Sequence, residues 1–212
     1  MTRPAYMVIV GTGVRYDRLQ AYRKALDAAD LYSRFGGKFV IARRPSLVLD
    51  GTYPDDRLTL VVRFPDLAAA RGFWHGEYQQ ILPMRAGAGD FNIGVWEELP
   101  NRPAMPVSPP GVLPAFMLVV AWNIKDAYRR YSDKVRSSGL LDRLGAVPII
   151  GGPPAEMFEG TYPDDRNTVL LRYGSLQSVR DFWSSPDYAE IKPMRANAAD
   201  IVVAAWERQA VA

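Results

Sequence analysis

Two residue sets in this chain share one pattern. Tyr78, Ile81 and Arg85 stand at i, i+3 and i+7, and Tyr188, Ile191 and Arg195 repeat the set. On a helix those positions fall on one face. A guanidinium there could stabilise negative charge developing on a substrate oxygen, and the tyrosine hydroxyl could donate a hydrogen bond to it. The same arginine aimed at a core needs a partner, because an unpaired buried charge is costly. Asp90 or Asp200, a backbone carbonyl, or an anionic ligand would serve, so a structural tether and a ligand clamp both stay open. Pro83 and Pro193 bend or end any helix that carries the pattern.

Other candidates are less symmetric. His75 is the only imidazole, hence the candidate proton carrier or haem ligand, and it has no counterpart in the second set; its His-Gly setting also reads as an ordinary exposed loop. Trp74 and Trp183 lie beside Phe73 and Phe182, as core or as pocket wall. Trp96 shares a strand face with Asn92 and Gly94, where small residues leave either a cavity or close packing. Arg43, with Arg44, Lys38 and Arg63, reads as an anion-attracting rim or a solvated strand end. Because His75, Arg43 and Arg44 occur in one copy only, any reaction is expected in one pocket, with the other half as scaffold.

The chain has no cysteine, which removes disulfides, thiolate nucleophiles and thiolate metal sites. No metal or other cofactor is called for by the residues. The net charge of +3 is spread over the chain, so no basic patch suggests nucleic acid. No apolar window long enough for a membrane helix occurs, and the N-terminal segment does not read as a signal peptide. A cytoplasmic protein is expected.

The elements that must position these residues come in duplicate. GTYPDDR at 51–57 returns at 160–166, 109 residues later, and Phe73-Trp74 returns as Phe182-Trp183 at the same offset. Pro-Met-Arg-Ala at 83–86 and 193–196, and Trp-Glu at 96–97 and 206–207, are offset by 110. A tandem duplication follows: residues 1–98, a linker at 99–114 with six prolines, and residues 115–212. The prolines keep the linker out of sheet and helix.

Within each copy the hydrophobic period alternates between strand and helix. A strand near 6–10 precedes a helix over 17–35 that stops at Gly36. A second strand runs over 38–49 with a break at Pro45, then comes the GTYPDDR connection, whose Pro-Asp-Asp is turn chemistry. A third strand spans 57–64, a helical region 66–85, and a fourth strand 91–97; the second copy repeats the order. This β-α-β-β-α-β sequence is the split βαβ pattern of ferredoxin-like domains. Such a sheet carries helices on one face, so the expected fold is α+β, two ferredoxin-like repeats packed sheet to sheet.

Each half resembles a DUF1330 domain, a family of the dimeric α+β barrel superfamily. The resemblance rests on Gly36-Gly37, Gly151-Gly152, Phe64-Pro65, Ser185 to Tyr188, Arg195 and the closing Asp200 to Val203. The first copy departs from it with Arg43-Arg44 and His75-Gly76-Glu77, the second with Gly145-Ala146. The resemblance implies an intrachain pseudo-dimer, with room for pairing to a second chain. The superfamily includes cofactor-free monooxygenases, muconolactone isomerases, haem enzymes and stress proteins, so it implies a fold more firmly than a reaction. The expected function is a cofactor-free and metal-free small-molecule enzyme or binder with an apolar pocket for an aromatic or carbonyl-bearing substrate. A non-catalytic structural or ligand-sequestering barrel is the alternative, and a haem protein a third reading.

Overall fold

The computed structural model describes residues 2–208. The chain forms two compact units, each completed by a segment from the other repeat: Met1–Arg44, Pro54–Glu98 and Pro154–Tyr162 make unit 1, and Pro45–Tyr53, Leu99–Pro153 and Pro163–Ala212 make unit 2. The repeats are contiguous in sequence, but the compact units are not, and the proline-rich linker belongs to unit 2.

Unit 1 opens with β1 (Ala5–Thr12), then a short 3-10 turn, α1 (Gln20–Ala29) and α2 (Leu31–Arg34). The expected single helix over 17–35 is broken at Asp30, which adopts a left-handed φ of 46°. Asp is among the few residues that tolerate this conformation, and the second repeat places Gly139, φ 67°, at the matching position. The strand expected over 38–49 is two strands, β2 (Lys38–Ile41) and β3 (Leu47–Asp50), and β3 lies in the other unit. Then follow β4 (Leu58–Phe64), α3 (Leu67–His75), α4 (Tyr78–Ile81), a 3-10 turn at Leu82–Arg85 and β5 (Asp90–Glu97). Pro83 lies at the start of that turn, so the chain tightens there and the helical region expected over 66–85 is three pieces.

The second repeat gives β6 (Ala115–Trp122), α5 (Asp126–Ser137), α6 (Leu140–Arg143), β7 (Val147–Ile150) and β8 (Glu156–Glu159). β9 (Asn167–Tyr173), α7 (Leu176–Ser184), α8 (Pro186–Ile191) and β10 (Asp200–Glu207) complete it. Local sequence sets the helix starts. Asp66 and Ser175 cap α3 and α7 by accepting from the amides of Ala69 and Ser178, at 2.8 and 3.0 Å. Ser185 caps α8 with Pro186 in its first turn; the first repeat has Gly76-Glu77 there, with no side-chain cap on α4, and α4 is correspondingly shorter.

Each unit holds an antiparallel five-stranded sheet, ordered β2-β4-β1-β5-β8 in unit 1 and β3-β10-β6-β9-β7 in unit 2. Four strands of each follow the ferredoxin-like order, and the fifth is the exchanged strand. β8 pairs with β5 so that Glu159 stands opposite Ile93, and β3 pairs with β10 so that Asp50 stands opposite Val203. Alternate residues of β1, β4 and β5 pack on α1 to α4 around Phe73, which is 1% exposed. Burying such a ring is worth about 2 to 3 kcal/mol. The reverse face is buried as well, with Tyr6, Val8, Val61 and Trp96 all inaccessible. Gly94 on that face makes close packing, because a Cβ there would lie 2.8 Å from the Met157 sulfur and 2.9 Å from the Trp96 ring. Beside Trp96, then, the chain is closely packed at Gly94.

GTYPDDR is the segment by which the chain returns after lending a strand. Gly51 and Gly160 have φ of 70° and 76° and lie against the backbone of Ile201 and Phe91 respectively. Tyr53 packs edge-on against Trp206 at 6.1 Å, and Tyr162 against Trp96 at 5.7 Å. The carbonyls of Asp56 and Asp165 accept from Val14 and Ile124. Among the described residues no helix is long and apolar enough to cross a membrane.

Candidate functional site

The repeated tyrosine and arginine do meet, and each joins two residues that the sequence pattern did not single out. In unit 2, Arg195 in the turn after α8 donates from Nη2 to Asp50 Oδ2 at 2.6 Å. The Tyr188 hydroxyl hydrogen-bonds to that of Tyr131 on α5 at 2.9 Å. The guanidinium carbon of Arg195 lies 5.8 Å from the Tyr131 ring and 5.6 Å from that of Trp183. Unit 1 repeats the arrangement: Arg85 forms a two-pronged ion pair with Glu159, its Nη1 reaching Oε1 at 3.2 Å, and Tyr78 bonds to Tyr22 at 2.7 Å. Arg85 also lies 4.3 Å from the centre of the Phe91 ring. Both arginines are buried, 7% and 8% exposed.

The partners expected from sequence proximity, Asp90 and Asp200, are therefore not the ones used. Asp90 and Asp200 start β5 and β10 at exposed positions. The carboxylates come from β8 and β3, the exchanged strands, which place Glu159 and Asp50 on the helix-covered side at the sheet edge. Asp50 and Glu159 are themselves 109 residues apart, as are Tyr22 and Tyr131, so the repeat offset was a signal that could have found them. What the offset could not say is that each carboxylate serves the opposite repeat's arginine.

Electrostatics follow from burial. The hydroxyls of Tyr22 and Tyr131 are pushed well above the ordinary tyrosine range by desolvation, then by the facing tyrosine. Tyr78 is also raised by burial, with Arg85 and Tyr22 pulling the other way. At neutral pH the Tyr131 hydroxyl is thus protonated and able to donate.

The two units differ in what surrounds the tyrosine pair. Unit 2 holds a cavity of about 610 Å³ between its sheet and helices, within the size range of small-molecule sites. Met117, Val169 and Leu171 line its sheet side, Tyr131, Trp183 and Tyr188 its helix side. Leu141 and Pro148 also face it. Their counterparts in the first repeat are Tyr32 and Phe39, whose rings meet each other at 4.7 Å and of which Tyr32 also stacks on Phe73 at 4.7 Å. Aromatic side chains occupy in unit 1 the layer that smaller ones leave open in unit 2.

The remaining sequence candidates lie elsewhere. Trp74 is core, stacked on Phe158 at 5.1 Å with an interplanar angle of 10°. His75 is exposed, its Nε2 3.6 Å from Glu156, which also binds Arg71. Asn92 ties the returning segment by donating to the Thr161 carbonyl at 2.7 Å. Arg43 is exposed, and Trp96 is buried against Tyr162. None of these five lines the unit 2 cavity, whereas Trp183 and Tyr188 do. A second, more open depression of about 490 Å³ in unit 1 is bordered by Arg85, Glu159, Trp74 and Gln79. Among the described residues no group of three His, Cys, Asp or Glu could hold a metal ion.

Comparison with known proteins places this architecture. The sequence model described as Domain of unknown function (DUF1330) matches residues 4–99 and again 115–208. No curated protein matches in sequence. Among solved structures, a candidate monooxygenase of Fusobacterium nucleatum is similar with a TM-score of 0.59 at 11% identity, covering 98% of this chain and 93% of its own. One of Lactobacillus acidophilus has a TM-score of 0.52 at 9% identity, covering 99% and 98%. At such identities the likeness establishes the fold, the dimeric α+β barrel kind with two similar halves.

Proposed function

We propose, for a chain that belongs to the DUF1330 family in both its repeats, that it binds and transforms a small hydrophobic molecule in the cavity of unit 2. The carrying observation is the 610 Å³ space with apolar walls and a hydrogen-bonded tyrosine pair at its side. Apolar walls would supply affinity, and one tyrosine hydrogen not spent within the pair would be directed at a carbonyl or similar oxygen. The substrate class is an aromatic or other carbonyl-bearing compound. The chemistry is of the cofactor-free monooxygenase, isomerase or cyclase type, of which the names of the two similar structures carry the first word only, monooxygenase. Whichever of Tyr188 and Tyr131 keeps that hydrogen is the donor to the substrate oxygen, and Arg195, paired with Asp50, holds the pair in place from behind. The first repeat, with its aromatic layer, serves as scaffold.

The test restores the first repeat's aromatics to the second. Leu141→Tyr with Pro148→Phe should abolish quenching of tryptophan emission by a hydrophobic ketone such as acetophenone, with the melting temperature kept or raised. Undiminished acetophenone binding in the filled variant would sink the assignment of this cavity. Turnover of a bound substrate should fall in Tyr188→Phe with binding largely retained.

A further inference from the structure

The cation beside the tyrosine pair is not free to act on a ligand. Arg195 is buried, and its charge is matched by Asp50 at 2.6 Å. Asp50 is 33% exposed in its side chain and sits on β3, so a carboxylate from the first repeat pairs with the arginine behind the tyrosines of the second. An arginine left alone at this depth would make the cavity a site for carboxylates and other anions. With the carboxylate present the pair is neutral as a whole, and the tyrosines next to the cavity offer hydrogen bonds without charge.

We infer that Asp50 is a specificity-determining residue: by neutralising Arg195 it shifts the preference of the unit 2 cavity toward uncharged, carbonyl-bearing ligands and away from their carboxylate analogues. The inference rests on the cavity being a ligand site, as proposed above. The distances support the needed coupling. The guanidinium lies 5.6 and 5.8 Å from the Trp183 and Tyr131 rings that wall the cavity. Neither residue of the pair lines the cavity itself, so a ligand beyond those rings lies about 10 Å from the guanidinium, where an uncompensated charge is worth roughly twofold in water-like dielectric and roughly fifteenfold at an effective dielectric of 20, and on the order of fivefold is expected. Arg129, Asp133, Arg136, Asp164 and Arg166 also border the cavity. They are the same in every variant below, so the comparison isolates the Asp50–Arg195 pair.

Two nearly isosteric probes make the test, acetophenone and benzoate, titrated against the full chain at neutral pH. Asp50→Asn should raise the benzoate-to-acetophenone affinity ratio about fivefold. Arg195→Met, which leaves the carboxylate uncompensated, should lower that ratio below the wild type, and the double variant Asp50→Asn with Arg195→Met should return it close to the wild type. A carboxylate that only holds the fold together would weaken both probes alike, and an unchanged ratio across the series overturns the inference. If Asp50→Asn does not fold, the ratios of the wild type, Arg195→Met and the double variant still decide the order. If the wild type binds neither probe, the cavity is not the ligand site and both proposals fall.

Discussion

Arg195 and Asp50 are 145 positions apart and 2.6 Å from each other, because β3 leaves its own repeat and docks beside β10. Arg85 and Glu159 are the mirror of this relationship across 74 positions. Each arginine is thereby the anchor of a strand borrowed from the other half of the sequence. Both carboxylates retain about a third of their exposure, so each can be hydrated when its partner is lost. Arg85→Met should accordingly cost about 1 to 3 kcal/mol, less than a fully buried pair would. Urea unfolding at neutral pH measures it, and a loss below the error of the method would mean that the pair does not hold the strand.

Tyr173 is fully buried and its hydroxyl makes no hydrogen bond among the described residues, where the first repeat has Phe64. Burying a hydroxyl without a partner is unfavourable. Tyr173→Phe should raise stability by about 1 kcal/mol. A destabilised variant in thermal unfolding would show that this hydroxyl is satisfied in solution.

Glycine is required at the strand-return turns for two separate reasons. Gly51 combines a φ of 70° with direct approach to the Ile201 carbonyl, whereas Gly13 has φ 60° with nothing near its missing Cβ. Gly13→Ala should cost only the left-handed backbone term, about 1 to 2 kcal/mol. Gly51→Ala should cost clearly more, because β3 must shift from β10 to make room. Equal losses in chemical denaturation would refute the close approach.

Alkaline pH should unfold the protein through its buried tyrosines. Burial and the neighbouring Glu98 push Tyr6 up to about 12, and burial raises Tyr22, Tyr32, Tyr131 and Tyr173 as well. A tyrosine whose folded value exceeds its unfolded value near 10 binds its proton more tightly when folded. Its contribution is complete below pH 10 and is lost as pH rises toward 12, with Tyr6 alone worth on the order of 3 kcal/mol. Stability followed from pH 9 to 12 should fall, and Tyr6→Phe should flatten part of that fall. A flat profile above pH 10 would mean these hydroxyls are reached by water.

The sequence by itself determined the duplication, the β-α-β-β-α-β order of the elements that stay within each repeat's own unit, and the pairing of Tyr78 with Arg85 and of Tyr188 with Arg195. Those features follow from local periods, turn residues and spacing, which are short-range properties of the chain. Pro83 and Pro193 likewise announced a break, found as the 3-10 turns that carry the arginines. Tertiary structure decided which carboxylate meets which arginine, because strand exchange depends on where β3 and β8 find an open sheet edge, and no local pattern encodes that. It also decided where the space lies. Leu141 and Pro148 read as ordinary apolar residues, and only their placement opposite Leu171 and Tyr131, where the first repeat carries Tyr32 and Phe39, leaves a volume that side chains do not fill. Packing is a sum over neighbours distant in sequence, so a cavity is legible only once those neighbours are in place.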